Sequence, residues 1–374
     1  MCGIAGLVCT TTTCHEDEHI ALIQQMCGLQ RHRGPDDQGI VSLGHVCLGA
    51  VRLCIIDLSE AGRMPMASED GRWWISYNGE VFNFQELREE LVRAGHTFRS
   101  KTDTEIVLHA FQAWGEKCLD RFVGMFAFAV YDRDTETVTL VRDRFGIKPL
   151  YYMRLGGHVL FASELKTLAH ISDRPRINRQ RLIEWSLYRN VDVFSSETLL
   201  EDAYSVLPGH LTTIKRGEIS SWSYYSPPLQ VDAGLYERFT TEPPEGVIAE
   251  IETAIHQSIQ DRLVSDVPLG TLCSGGIDSS LITAVAARYR PELMAFHVSV
   301  SGYPALDERG YAEQVAKTVG APFICYPLTG EVFRQQLPQT IYLSDAPLTH
   351  PNSVAFYLIC QVARAHGVLV LLSG

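Results

Sequence analysis
The sequence predicts a chain of two parts: an α+β half of sheets with packed helices, then an α/β half with a parallel, doubly wound sheet. Three observations carry this. Up to about Ser220, short strand-like runs dominate (IAGLV, VCLGAVRL, RWWISYN, MFAFAVYD, TVTLVRD, HVLFAS), punctuated by Gly, Asp and Asn turns. Among them, FQELREELVRAG and TEIVLHAFQAW repeat apolar residues at three and four, the helical period. Later, strand and helix alternate: PLGTLCSG, IDSSLITAVAARY, LMAFHVSV, ERGYAEQVAKTVG, APFICYPL, VAFYLICQVARAHG and VLVLLSG. Between the halves, WSYYSPPLQVDAGLYERFTTEPPEG has Pro pairs and no periodicity, which reads as a connection. The expected domains are 2–215 and 247–374, joined by 216–246.

At 374 residues and 46% apolar composition, there is material for two buried cores. A formal net charge of −12 argues against nucleic acid or an anionic membrane as the main partner. The opening MCGIAGLVCTTTTC lacks a basic n-region, and no run approaches the roughly 18 apolar residues of a membrane span, so a cytoplasmic location is expected. Ten Cys without a secretory signal suit a reduced compartment, most of them as small buried hydrophobes.

Removal of Met1 leaves Cys2 with both a thiol and a free α-amine. With an ordinary pKa of about 7.7–8.0, that amine accepts the thiol proton without a His partner, directly or through water. The plainer reading is a buried structural Cys. Asn78 beside Gly79 supplies two donors for an oxyanion, or else makes a hairpin turn between RWWISY and EVFNF. A free amino acid presents an α-carboxylate and an α-ammonium, which call for a bidentate cation and a fixed carboxylate. Arg52 and Asp103 are the candidates, with an N-cap on TEIVLHAFQAW as the alternative for Asp103. Near the start, Cys9, Cys14, His15, His19 and Cys27 imitate a zinc site, but their spacing is not that of a usual finger. They read as core Cys and solvated His.

In the second half, VPLGTLCSGGIDSS is a strand, a Ser-Gly-Gly turn and a helix start. Glycines let backbone N–H groups approach an anion, and the helix N-terminus adds a favourable dipole. No G-x-x-x-x-G-K-[ST] occurs, so this is not the usual ATPase loop. It looks like the pyrophosphate loop of enzymes that split ATP between its α- and β-phosphates, with a plain strand-to-helix turn as the alternative. Ser274, Gly275, Gly276, Ser279 and Ser280 would surround phosphates, and Asp278 would help hold Mg²⁺. Asp307, Glu308 and Asp345 are weaker candidates, equally readable as solvated loop acids.

MCGIAG, HRGPD, YNGEVFN, KTDTE, DRFGIKPLYY and FASELK, over roughly residues 2–170, resemble the N-terminal glutaminase of class II glutamine amidotransferases. With LPGH and SGGIDS added, the chain resembles the glutamine-hydrolysing asparagine synthetases. The resemblance implies a layered αββα N-terminal-nucleophile glutaminase followed by an α/β ATP-pyrophosphatase-type domain. Cys2 would be the nucleophile, Asn78 and Gly79 the oxyanion hole, and Arg52, Glu80 and Asp103 the glutamine site. Leu272, Val298, Ser373 and Gly374 would line the nucleotide pocket. The implied substrates are glutamine, aspartate and ATP with Mg²⁺, giving asparagine through an acyl-adenylate, with ammonia crossing a dry, apolar path. Amidation of another carboxylate and a glutaminase-only fragment stay as alternatives, and the oligomeric state is open, a homodimer among the options. Amidotransferases that make amino sugars or phosphoribosylamine have no use for SGGIDS. The chain has Met64-Pro65-Met66 where the family often has Gln-Pro-Met, and Cys273 where relatives often have Leu. Related synthetases continue past a Ser-Gly like Ser373–Gly374, so the chain alone is expected to be defective in amide synthesis, with one side of its second sheet bare.

Overall fold
The computed structural model describes all residues except 12–13, 190–194, 228–231 and 304–306. The chain divides into two compact units, Met1–Ser226 and Pro227–Gly374. The first unit runs β1 (Gly3–Cys9), α1 (Glu16–Leu29), β2 (Asp37–Ser42), β3 (Val46–Arg52), β4 (Met66–Ala67), β5 (Trp73–Val81), α2 (Phe84–Arg93), α3 (Asp103–Trp114) and α4 (Cys118–Arg121). It continues through β6 (Gly124–Asp132), β7 (Thr137–Arg142), β8 (Tyr151–Leu155), β9 (His158–Ala162), α5 (Leu165–Ile171), α6 (Arg179–Tyr188), β10 (Ala203–Ser205), β11 (His210–Lys215) and β12 (Glu218–Ser223).

Two six-stranded sheets result, ordered β10-β8-β9-β1-β3-β2 and β12-β11-β7-β6-β5-β4. Alternating side chains decide how they stack. Ile4, Val8, Leu48, Ala127, Ala129, Leu140 and Phe161 point inward and fuse the two sheets into one core. On the outer face of the first sheet, Leu7 and Leu160 pack with Ile23, Met26 and Cys27 of α1 and Leu168 of α5. α3 lies against β5, with α2 against α3. The expected αββα order is therefore present. α1 begins with Glu16, Asp17 and Glu18, acids that complement the positive end of the helix dipole. Gly6 of β1 is fixed by packing, since a Cβ there would stand 1.9 Å from Phe161 Cζ.

In the second unit come α7 (Ala233–Thr241), α8 (Pro244–Asp261), β13 (Leu269–Leu272), α9 (Ile277–Tyr289), β14 (Met294–Val300), α10 (Arg309–Val319), β15 (Phe323–Leu328), α11 (Gly330–Ser344), α12 (Asn352–Ala365) and β16 (Val370–Leu372). The sheet order is β15-β14-β13-β16, parallel throughout. The chain steps from β13 to β14 and β15 on one side, then returns to β16 on the other. The carboxyl end of β13 is thus a topological switch point, where such sheets bind ligands.

Two expectations change. The segment expected as a connection holds β12, hydrogen-bonded to β11 along its whole length, and α7. The ladder pairing keeps residues up to Ser226 with the first unit. Nor is a face of the second sheet bare. α10 covers Ala295 and Cys273, while α12 covers Phe296, Val298 and Leu272 from the opposite side.

Candidate active site
Cys2 stands immediately before β1 with its thiol half-buried, and its Sγ lies 3.8 Å from the Leu53 carbonyl oxygen. The backbone around it is tied from several directions. Ile4 N–H donates to Ser163 Oγ at 2.9 Å, and Ser163 N–H returns a bond to Ile4 O at 3.0 Å. Arg33 Nε donates to the Cys2 carbonyl at 2.9 Å, and its Nη1 donates to Glu164 Oε1 at 3.1 Å. His32 and Lys166 also reach the Glu164 carboxylate, at 2.8 and 2.7 Å. Burial pushes the Glu164 carboxyl up, but hydrogen bonding from His32 and the charges of Arg33 and Lys166 outweigh it and hold it at about 2. Gly34 is required in this turn, because a Cβ there would be 2.4 Å from the Arg52 backbone nitrogen.

Asn78 and Gly79 lie within β5 and face Ala127 and Phe126 of β6 across the ladder. The hairpin reading therefore fails: sheet pairing on both sides of the dipeptide overrides its local turn preference. Gly79 is required by close approach, since a Cβ would meet Met125 O at 2.6 Å and Phe126 Cα at 2.7 Å. The Asn78 side chain is fully buried, and neither its Oδ1 nor its Nδ2 has a hydrogen-bond partner among the described residues. Such an orphaned amide costs about 1–3 kcal/mol, so it points to a ligand rather than to stability.

The acids cluster nearby in the same unit. Asp103 Oδ2 accepts from Tyr77 Oη at 2.6 Å and from Val81 N–H at 3.0 Å. Burial raises its pKa in spite of those bonds. The N-cap alternative for Asp103 also fails, because Thr102 is the cap, accepting from Glu105 N–H, and Asp103 is the first residue of α3. Glu80 is pushed up to about 7 by burial and by repulsion from Asp103, with Lys148 and the chain's α-amine pulling the other way. That amine, on Met1 in this structure, is pushed down to about 6, first by burial and then by Lys148 and Arg33.

Arg52 is buried, with Nη1 bonded to Ser59 O at 3.0 Å and Nη2 to Asp57 O and Ile56 O at 2.6 and 3.2 Å. The guanidinium therefore first organises the loop that follows β3. Of its five donors, the Nε–H and one Nη1–H make no hydrogen bond to the described residues.

Lys148 and Glu164 were not singled out from the sequence, although both stand inside the quoted runs DRFGIKPLYY and FASELK. Asp143 builds the first run: its carboxylate accepts from the backbone N–H groups of Phe126, Phe145, Ile147 and Lys148 at 2.9–3.2 Å. That turn buries Lys148, whose ammonium is pushed down by desolvation and drawn up by Glu80.

In the second unit, the Ser274–Gly276 turn joins β13 to α9. Gly275 has φ +93°, and a Cβ there would be 2.8 Å from Tyr311 Cβ and 2.9 Å from Ala312 N, so no other residue suits the position. Ser279 Oγ is 2.8 Å from Ser274 Oγ and accepts from Ser274 N–H at 3.1 Å, which folds the turn over the helix start. The Ser280 hydroxyl is buried and has no hydrogen-bond partner among the described residues. Asp278 is exposed and makes no hydrogen bond or ion pair with the described residues. Gly374 follows β16 and lies against the same helix start, a Cβ there being 3.0 Å from Ser279 N. Leu272 and Val298 sit on the α12 face of the sheet. Of the weaker candidates, Asp307 accepts from Arg309 N–H at 3.2 Å, Glu308 precedes α10, and Asp345 ends α11 with φ +60°.

A family model described as a glutamine amidotransferase domain matches residues 1–225, and one described as asparagine synthase matches 250–374. Asparagine synthetase [glutamine-hydrolyzing] 1 of Bacillus subtilis (strain 168) is 34% identical over 377 residues, covering 100% of this chain and 57% of that protein. Asparagine synthetase [glutamine-hydrolyzing] 3 of the same organism is 34% identical over 77% of this chain and 45% of its own length. The chain thus spans about half the length of these curated relatives. Among solved structures, glutamine phosphoribosylpyrophosphate amidotransferase from B. subtilis, complexed with ADP and GMP, matches with a TM-score of 0.46 and 15% identity, over 86% of this chain and 65% of that one. Among the described residues, no helix is long and apolar enough to cross a membrane.

Proposed function
The chain belongs to the glutamine amidotransferase family and carries an asparagine synthase domain, and from that premise we propose that it serves ATP-dependent amide synthesis with glutamine as nitrogen donor and aspartate as acceptor. The observation that carries the first step is the buried, unpartnered Asn78 amide on the strand that bears Glu80, whose charge the chain's α-amine feels. Once Met1 is removed, the amine belongs to Cys2, and an α-amine with an ordinary pKa of about 7.7–8.0 has enough free base near neutral pH to take the thiol proton. The amine takes the thiol proton as sulfur attacks the glutamine amide carbon. Asn78 Nδ2 and Gly79 N–H stabilise the oxyanion. The C–N bond breaks, the amine returns its proton to the leaving nitrogen, and ammonia departs; water then cleaves the thioester to give glutamate. Arg52 holds the glutamine α-carboxylate, while Asp103 and Glu80 hold its α-ammonium.

For the second step, the fit of the Ser274–Ser280 turn to ATP rests on Gly275, whose conformation excludes a side chain, and on the orphaned Ser280 hydroxyl. Ser274, Gly275, Gly276, Ser279 and Ser280 would hold phosphates, with Leu272, Val298, Ser373 and Gly374 around the nucleotide. Asp278 would help hold Mg²⁺, which supplies charge neutralisation on the departing pyrophosphate. The aspartate side-chain carboxylate attacks the α-phosphorus, releasing pyrophosphate, and ammonia then displaces AMP from the acyl-adenylate to leave asparagine. The test measures glutamate and AMP released by the whole protein with glutamine, ATP-Mg²⁺ and a panel of carboxylic acids. One AMP per glutamate with aspartate is expected. Coupled AMP with another acid instead would reassign the acceptor, and glutamate with no AMP for any acid would overturn amide synthesis.

A further inference from the structure
On the α1-covered face of the first sheet, far along β1 from Cys2, three side chains able to bind a metal converge. Cys9 ends β1 and His158 begins β9, and the two are direct partners across the antiparallel ladder. From α1, His19 reaches down onto the pair. The thiol sulfur and one nitrogen from each imidazole lie within 4.8 Å of one another. The rings of His19 and His158 meet edge to face, their centroids 5.0 Å apart.

Two features set this group apart from ordinary core packing. His19 is only 4% exposed, against the sequence expectation of a solvated residue. Furthermore, the Nδ1 atoms of both His19 and His158 are buried without a hydrogen-bond partner among the described residues. Two buried imidazoles with an unsatisfied nitrogen each, gathered beside a thiol, are costly by themselves and suited to a cation. Cys14 is a second thiol close to Cys9 through their shared neighbour Thr11. Its thiol and that of Cys9 reach the same Thr11 carbonyl, at 3.9 and 3.8 Å. Cys14 is exposed and His158 half-buried, which leaves an entry path for an ion from solvent.

We propose that Cys9, Cys14, His19 and His158 bind one zinc-class divalent cation. Neighbouring donors in a tetrahedral zinc site stand about 3.3–3.8 Å apart, as follows from bond lengths of about 2.0–2.3 Å. Side-chain rotation of Cys9, His19 and His158 closes their present spacing to that value, and Cys14 joins them by turning from the Thr11 carbonyl. Binding releases the two thiol protons to solvent as the thiolates form. With four protein ligands the site is closed to substrate, so its role is to fasten the end of β1 to β9 and α1. The sequence hinted at the site without defining it. His15 precedes α1 at the surface, and Cys27 is buried lower on α1 with its thiol pushed to about 12 by burial, so both drop out. Their place is taken by His158, which no local spacing indicates.

The test is cobalt titration of the metal-stripped chain, followed by absorption. One equivalent of Co²⁺ should give a thiolate-to-cobalt charge-transfer band and the intense visible bands of tetrahedral cobalt, both abolished by added Zn²⁺. Cys9→Ser, His19→Gln and His158→Gln should lose those bands, whereas Cys2→Ala should keep them. Zinc should raise the melting temperature of the parent chain and leave that of His158→Gln unchanged, a partly exposed site where the substitution itself is tolerated. Absence of the bands in the parent chain, their survival in His158→Gln, or their loss in Cys2→Ala would overturn the proposal.

Discussion
The Tyr77 phenol donates to Asp103 Oδ2 at 2.6 Å, so the first carboxylate of α3 is held against the strand that carries Asn78, Gly79 and Glu80. This fixes what Asp103→Asn should do. The Asn oxygen can still accept from Tyr77 and Val81, and Thr102 still caps the helix, so the fold is retained. The negative charge for the substrate ammonium is lost. The glutamine KM should rise about 10- to 100-fold, the worth of a charge-assisted hydrogen bond, with a much smaller change in kcat. Steady-state kinetics on both proteins checks it; unchanged kinetics would return Asp103 to a structural role.

Asn78 should behave in the opposite way. If its amide stabilises charge that appears only in the transition state, Asn78→Leu should lower kcat about 10²–10³-fold while leaving the glutamine KM nearly constant. Because the Asn78 amide is unpartnered, the variant should melt no lower than the parent. A lower melting temperature with unaltered kcat would make Asn78 a packing residue.

The ionisation of Glu80 gives a pH prediction. Its pKa stands at about 7 in the fold, raised by burial and by Asp103. A carboxyl raised in the folded state favours folding at low pH, and that contribution is lost as pH rises through about 7. Binding of the substrate ammonium needs the ionised form, so kcat/KM for glutamine should climb as pH rises through the same range. Lys148 pulls the Glu80 pKa down, so Lys148→Met should move this limb to higher pH. A limb that stays put would disconnect Lys148 from the site.

Gly275→Ala places a Cβ 2.8 Å from Tyr311 Cβ at a φ of +93°. The turn must move, and ATP affinity should fall by at least about tenfold, as a small displacement of backbone donors suffices. Glutamine hydrolysis should be unaffected, because the turn and Cys2 belong to separate compact units. Calorimetric ATP binding, with a glutamate-release assay on the same sample, reads both effects.

The sequence was most legible where the pattern is local. FQELREELVRAG and TEIVLHAFQAW became α2 and α3, and IDSSLITAVAARY became α9 over the same residues. Strands with mixed burial escaped notice: β2 is partly exposed along its length, and β12 is mostly exposed, so neither has a strong apolar run. α11 contains Pro338, which disguises a 15-residue helix. The candidate site divides in the same way. Asn78 and Gly79 were readable as residue types, but their place inside a strand depends on β6, almost fifty residues on. Glu164 meets Arg33 and His32 across 131 and 132 residues, a pairing that no spacing rule reveals.

The most direct measurement is covalent labelling of the mature chain with a glutamine-mimicking electrophile, followed by intact-mass and peptide-level mass spectrometry. The mature N-terminus should be Cys2, with one adduct per chain on its sulfur among the ten Cys of the sequence. Glutamate release should stop in step with labelling, and Cys2→Ala should be inactive from the start. An adduct on another residue, or full glutaminase activity in a chain that keeps Met1, would contradict the account.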